Sequence, residues 1–129
     1  MKKAKEKPTQ QPAIRVVMMP RDVNPLGSIF GGHILSLIDL AAGQHARSVS
    51  PRKYVTKVMR EVEFIAPVKV GDSVSFYTET VKVGRTSITI RVDVVSSRGL
   101  GAEKTITVTS AEVVMVAIDD DYQPVPILK

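Results

Sequence analysis

The chain contains no cysteine and no tryptophan. Without Cys there can be no disulfide scaffold, thiolate zinc site, iron–sulfur cluster or cysteine nucleophile. There are only two histidines, His33 and His45. A histidine-based metal site would need carboxylates as well, and no metal or resident cofactor is expected. No apolar run approaches the ~18 residues that a membrane-spanning helix requires. The N-terminus is basic, but no apolar stretch follows it as in a secretory signal. These absences predict a cytoplasmic protein that does not enter a membrane.

The 129 residues are enough for one domain with a sizeable core. Hydrophobic residues make up 43% and charged residues 24%, which excludes a largely disordered chain. The net charge of +5 invites a nucleic-acid reading, so its distribution matters. Residues 1–12 carry four Lys and one Glu, whereas the other 117 residues hold 14 basic and 12 acidic side chains. Most of the excess therefore sits in a Lys/Pro/Gln tail, which reads as a disordered, solubilising leader before a single domain over 13–129. Stacking on bases needs exposed aromatics, and of only six, Phe64, Phe76 and Tyr77 fall inside strand patterns. No nucleic-acid partner is expected.

Residues 14–19 (IRVVMM) form a short apolar run that ends at Pro20, which suits a first strand. RDVNPLGS is a loop by composition. After Gly31 and Gly32, HILSLIDLAAGQHARS predicts a helix of about four turns, roughly 24 Å long. Its apolar residues cover nearly the whole circumference, so it should be buried on most sides. Strand patterns then occupy 54–66, 73–83, 87–95 and 104–118, separated by VKVGD, a hairpin turn at Gly84-Arg85 and SSRGLGAE. In the last strand both faces become apolar, which implies burial on both sides or a bulge near Ser110. One helix cannot cover five strands and be buried all round unless the sheet curls about it. The pattern therefore predicts an α+β hotdog fold, a long central helix wrapped by a five-stranded antiparallel sheet. The apolar helix and two-sided strand end also point to a subunit interface and a homo-oligomer.

Asp39 stands out, a carboxylate in the middle of LSLIDLAAG. A charge there is costly without a use or a partner. Of its helical neighbours Leu35, Ser36, Ala42 and Gly43, three are small, which leaves room for a ligand or another backbone. An Asp that reaches solvent or bonds a neighbouring loop is the plainer alternative. Ser28-Ile29-Phe30-Gly31-Gly32 opens the helix, with Ser28 as a candidate cap. The first-turn N–H groups can bind an anion or a developing oxyanion. Gly32 and Asp39 lie on one face about 10.5 Å apart. That is too far for one subunit to bring both to one atom, but two antiparallel helices side by side could. His33 reads as an imidazole at a pocket rim or in solvent. His45, late in the helix where a cation suits the dipole, reads as a structural residue, and Arg60 and Glu61 suggest an ion pair across a subunit seam.

The stretch MPRDVNPLGSIFGGHILSLIDLAAG, followed by F-x-x-P-V-x-V-G-D, V-G-R-T-S and VMVAIDDDYQPVPI, resembles hotdog-fold acyl-CoA thioesterases. Within that family it is similar to the bacterial YciA-type enzymes and to the cytosolic acyl-CoA hydrolases of animals. The resemblance covers roughly residues 14–127. It implies hydrolysis of acyl-CoA to free acid and coenzyme A, with coenzyme A entering as part of the substrate. It assigns Asp39 as general base or nucleophile. The same resemblance makes Gly31, with help from Gly32, the source of the N–H that polarises the thioester carbonyl from the opposite subunit. It implies that Asn24 is a polar loop residue near the acyl carbonyl and the water, and that Arg85, Thr86 and Ser87 lie near the nucleotide or phosphates of coenzyme A. Ser28 departs from the family pattern, which has Asp there in many YciA-type sequences and Asn in animal relatives. Serine keeps a hydrogen-bonding group to orient water but loses the charge. That departure motivates an alternative, a hotdog module that binds acyl-CoA without hydrolysing it. A hotdog dehydratase would need a paired His and carboxylate, and His33 and Asp39 lie about 120° apart on the helix. The family also implies dimers, assembled as a trimer of dimers.

Overall fold

The computed structural model describes residues 10–101 and 104–128. Five strands, β1 (Ile14–Val17), β2 (Lys53–Phe64), β3 (Ser73–Val83), β4 (Ser87–Arg98) and β5 (Lys104–Ile118), form one antiparallel sheet in the order β1-β3-β4-β5-β2. The single long helix, α1 (Gly31–Val49), lies across the concave face of this curled sheet. The strands joined by the helix are the two sheet edges, so the connection between them traverses the whole sheet. Of the expected N-terminal tail, residues 1–9 lie outside the described residues. The backbone joins the sheet at Ala13, whose N–H bonds the Phe76 carbonyl.

Alternation decides which side chains meet the helix. Val74 and Phe76 of β3, Ile88, Ile90, Val92 and Val94 of β4, and Ala111, Val113, Met115 and Ala117 of β5 form the inner face, all buried. Against them the helix sets Ile34, Ile38, Ala41, Ala42, Gly43 and Ala46. The small residues let the backbone approach closely: a Cβ on Gly43 would already touch the Met115 methyl at 3.8 Å. The expectation of a helix buried on most sides fails within one chain. Gly32, Ser36, Leu40, Gln44 and Arg47 form an exposed stripe, and Leu40 is 60% exposed. One sheet covers one face of a helix, and the opposite apolar positions need another partner.

Strand irregularities in β5 and β2 re-aim side chains. In β5, Val108 is the extra residue between Thr107 and Thr109, two positions before the expected bulge at Ser110. In β2 the register slips between Thr56 and Val58 and again between Arg60 and Glu63. The second slip contains Glu61, whose φ of 55° is left-handed. Tyr54, Thr56, Met59 and Phe64 all pair with inner-face residues of β5, although strict alternation from Met59 would place Glu63 inside and Phe64 outside. The sequence pattern, read as an unbroken strand over 54–66, does not reveal these slips.

Polar anchors close the ends. Asp72, only 1% exposed, accepts from Arg98 through both carboxylate oxygens at 2.9 Å, from the Ser96 hydroxyl at 2.6 Å and from the Lys69 N–H at 3.0 Å. Burial pushes the Asp72 pKa up, but those donors and the Arg98 charge outweigh it and hold the carboxyl below its ordinary 3.8. Arg98 also donates to the Pro67 carbonyl at 3.2 Å, tying the loop after β2 to β4. Arg60 pairs with Glu112 of the same chain at 3.2 Å, on the outer face of the sheet.

Two outcomes follow from these devices. Because the unfolded state holds the Asp72 proton more tightly, the stability from this carboxylate is present above about pH 3.8. It is lost as pH falls through the lower folded value. Asp72→Asn should cost about 3 kcal/mol at neutral pH and flatten the acid limb of a urea-unfolding series. Glu61→Gly should be neutral or stabilising, because Gly adopts positive φ without strain. Glu61→Val should cost about 1–2 kcal/mol by the same assay.

Candidate active site

The helix start is built by its preceding loop. The Asn24 carboxamide oxygen accepts from the N–H groups of Leu26 at 2.8 Å and Ser28 at 3.2 Å, and Asn24 N–H bonds the Ser28 carbonyl at 2.7 Å. Gly27, at φ 89°, closes this turn. Asn24 is therefore a loop organiser, and its Nδ2 reaches the Ser28 hydroxyl at 3.4 Å. Ser28 is not the cap: Phe30 occupies that position, with no side-chain hydrogen bond to the helix. The Phe30 carbonyl takes the N–H groups of His33 and Ile34. Among the described residues, the N–H groups of Gly31 and Gly32 have no acceptor.

A cavity of about 340 Å³ opens beside Gly31. Asn24 and Gly31 line it at one end, and Ile29, Ile34, Phe64 and Val68 supply apolar walls. Two aromatic rings bracket the glycines. A Cβ on Gly31 would sit 3.4 Å from the Phe64 ring, and one on Gly32 would sit 2.6 Å from the Phe30 ring. Each ring thus lies against bare backbone. His33 sits beside this end, with Nε2 3.5 Å from Asp22 Oδ2. Asp22 in turn accepts from the Met19 N–H, and its carbonyl takes the Phe30 N–H. Sequence reasoning missed that His–carboxylate contact, because it joins the helix to a turn eleven positions earlier.

Asp39 lies two turns further on and does not line the cavity. It is half-buried, and its Oδ1 accepts from the Thr56 hydroxyl at 2.5 Å. Thr56 is a partner of Asp39 that the sequence did not reveal: only the β2 register brings it over the helix. Gly31 and Asp39 are about 12 Å apart along the axis, so one chain does not bring them together. Arg85 and Thr86 lie in the β3–β4 turn and Ser87 opens β4; none of them lines this cavity. Their carbonyls accept from Ile127, Ala117 and Gly84, which fixes the turn and leaves the Arg85 side chain exposed. His45 bonds Thr78 Oγ1 at 3.0 Å and Thr80 Oγ1 at 2.7 Å. Burial lowers its pKa, and the two bonds make it an anchor, which fits the structural role expected of it. No group of three or more His, Asp or Glu among the described residues is placed to hold a metal. Among the same residues, no helix is long and apolar enough to cross a membrane.

Residues 26–103, which hold the helix, the Arg85 turn and most of the cavity lining, match the family model described as the thioesterase superfamily. The chain belongs to the thioesterase superfamily. Within it, the chain is 42% identical to an uncharacterized acyl-CoA thioester hydrolase of Zymomonas mobilis, over 91% of this chain and 78% of that one. It is 35% identical to the acyl-CoA thioester hydrolase YciA of Salmonella typhimurium, over 93% and 92%. A solved relative, the hexameric hotdog fold thioesterase of Campylobacter jejuni, superimposes with a TM-score of 0.86 at 45% identity, over 91% and 90%. The fold is the hotdog fold. Within this fold, the Thr56 hydroxyl donates to Asp39 Oδ1. Thr56→Val should lower thioester turnover about tenfold, the scale of one hydrogen bond to a charged group. The melting temperature of this variant should barely change, since Thr56 is exposed.

Proposed function

We propose that the protein hydrolyses acyl-CoA thioesters to free acid and coenzyme A, at a site completed by two copies of the chain. The observation that carries this reading is a largely apolar cavity lined by Gly31, whose N–H has no acceptor and which stands at the positive end of a 19-residue helix. A thioester carbonyl placed there gains hydrogen bonds as its oxygen becomes an oxyanion. The acyl chain occupies the apolar walls, and Asn24 and Ser28 hold the loop that presents Gly31 and orient water at its polar end. The carboxylate comes from Asp39 of the partner subunit, because antiparallel packing of two helices offsets their 12 Å separation.

Asp39 takes a proton from water as the water adds to the carbonyl, or itself attacks to give a mixed anhydride that water then opens. In both routes the C–S bond breaks, and coenzyme A departs as a thiolate that takes up a proton. Water, a carboxylate and backbone N–H groups suffice for this reaction, with coenzyme A present only as part of substrate and product. Arg85 offers a cation to the phosphates, with Thr86 and Ser87 beside it.

Three features support self-association: the exposed Leu40 stripe, the unpaired edge of β2, and the split between Gly31 and Asp39. The Campylobacter jejuni relative is described as hexameric, and we infer a trimer of dimers here as well. We assign a cytoplasmic location and neither nucleic acid nor a membrane as partner.

Thiol release from an acyl-CoA panel, acetyl through palmitoyl, tests the reading directly. The protein has no Cys and contributes no background. Wild type should turn over some chain length, and Asp39→Asn should lose more than ~100-fold while keeping its oligomeric mass. Near-normal turnover in Asp39→Asn would remove this carboxylate from the mechanism.

A further inference from the structure

Phe64 is a large apolar side chain, 54% exposed, at the end of β2. Strict alternation would turn it outward. The bulge at Glu61, held at positive φ, turns it inward opposite Thr109, so that Phe64 lines the cavity in place of Glu63. Its ring edge packs on Gly31, with Cε1 and Cζ both 3.4 Å from the Cβ position of that residue. Ile34, Val68 and Thr109, on the same cavity, are buried to within a few per cent and belong to the core. Phe64 is thus a wall that can change size without opening the core.

We propose that Phe64 is the residue that sets the acyl-chain length this protein accepts. The proposal rests on the acyl-CoA hydrolase reading above. A carbonyl bonded to the Gly31 N–H starts its chain against the Phe64 ring, so the ring decides how far the chain runs before meeting a wall. Strain at Glu61 is the local cost of putting an aromatic ring there. A hydrophobic pocket discriminates one methylene by roughly 10- to 200-fold, which sets the scale of the effect.

The test compares kcat/KM for butyryl-, octanoyl- and palmitoyl-CoA in wild type, Phe64→Ala, Phe64→Leu and Phe64→Trp. Melting curves confirm that each variant is folded. Phe64→Ala should raise the ratio of long- to short-chain kcat/KM by at least about tenfold, Phe64→Leu by less, and Phe64→Trp should lower it. Should Phe64→Ala fail to fold, opposite movements of the ratio in Phe64→Leu and Phe64→Trp support the proposal in its place. A common loss at every chain length, or an unchanged ratio, overturns the proposal while leaving the hydrolase reading intact. Absence of turnover by wild type on every chain overturns both.

Discussion

The close contact between one side of α1 and the concave face of the sheet governs the rest of the molecule. Ile34 and Ile38 fill the wider end, and Ala41, Ala42, Gly43 and Ala46 bring the other half down onto Met115 and its neighbours. This contact sets the rotation of the helix. Once Ile38 and Ala42 point into the sheet, Asp39 must emerge at the flank over β2, where the Thr56 hydroxyl meets it. The same rotation turns the Gly31 end toward the loop after β2 and creates the cavity there. Packing of apolar side chains thereby places a pair of free N–H groups at the start of one rigid rod and a carboxylate near its middle.

That separation is also why self-association and chemistry are coupled in the proposed mechanism. A helix held by one sheet leaves Leu40 in water, although it lies next to Asp39 in sequence. Burying such a stripe against a second copy would remove apolar surface from water and bring the carboxylate of one chain near the glycines of the other. The hydrophobic gain and the catalytic geometry would come from the same contact. A protein of this design has no complete site as a monomer, whatever the quality of its fold.

The polar groups divide between scaffolding and chemistry. Asp72, the most buried carboxylate described, is fully engaged with Arg98, Ser96 and Lys69 and serves the loop that forms the cavity floor. His45 is clasped by two threonines and kept neutral by burial. Asp39 has a single hydroxyl donor and remains half-open. A carboxylate with unused lone pairs at an accessible position is what proton transfer or nucleophilic attack requires. One saturated with donors is held for stability.

Periodicity and punctuation alone were enough to read the order of elements, the helix, the hairpins and the oddity of Asp39, because those depend on neighbours within a few residues. The apolar alternation of Ile88, Ile90, Val92 and Val94 translated directly into buried side chains. Local pattern misjudged Ser28, which serves the Asn24 loop while Phe30 takes the cap position. The partners of His45 and Arg60 were out of its reach, since Thr78, Thr80 and Glu112 lie on strands distant in sequence. The bulges of β2 are the sharpest case. A one-residue slip at Glu61 exchanges Glu63 for Phe64 at the cavity and leaves no mark on composition or spacing. Sequence by itself determined which segments are helix and strand and which face of each is apolar, since a side chain's polarity and its period are local properties. Only the tertiary structure decided which side chains meet at the site, because register and helix rotation come from packing the whole sheet at once.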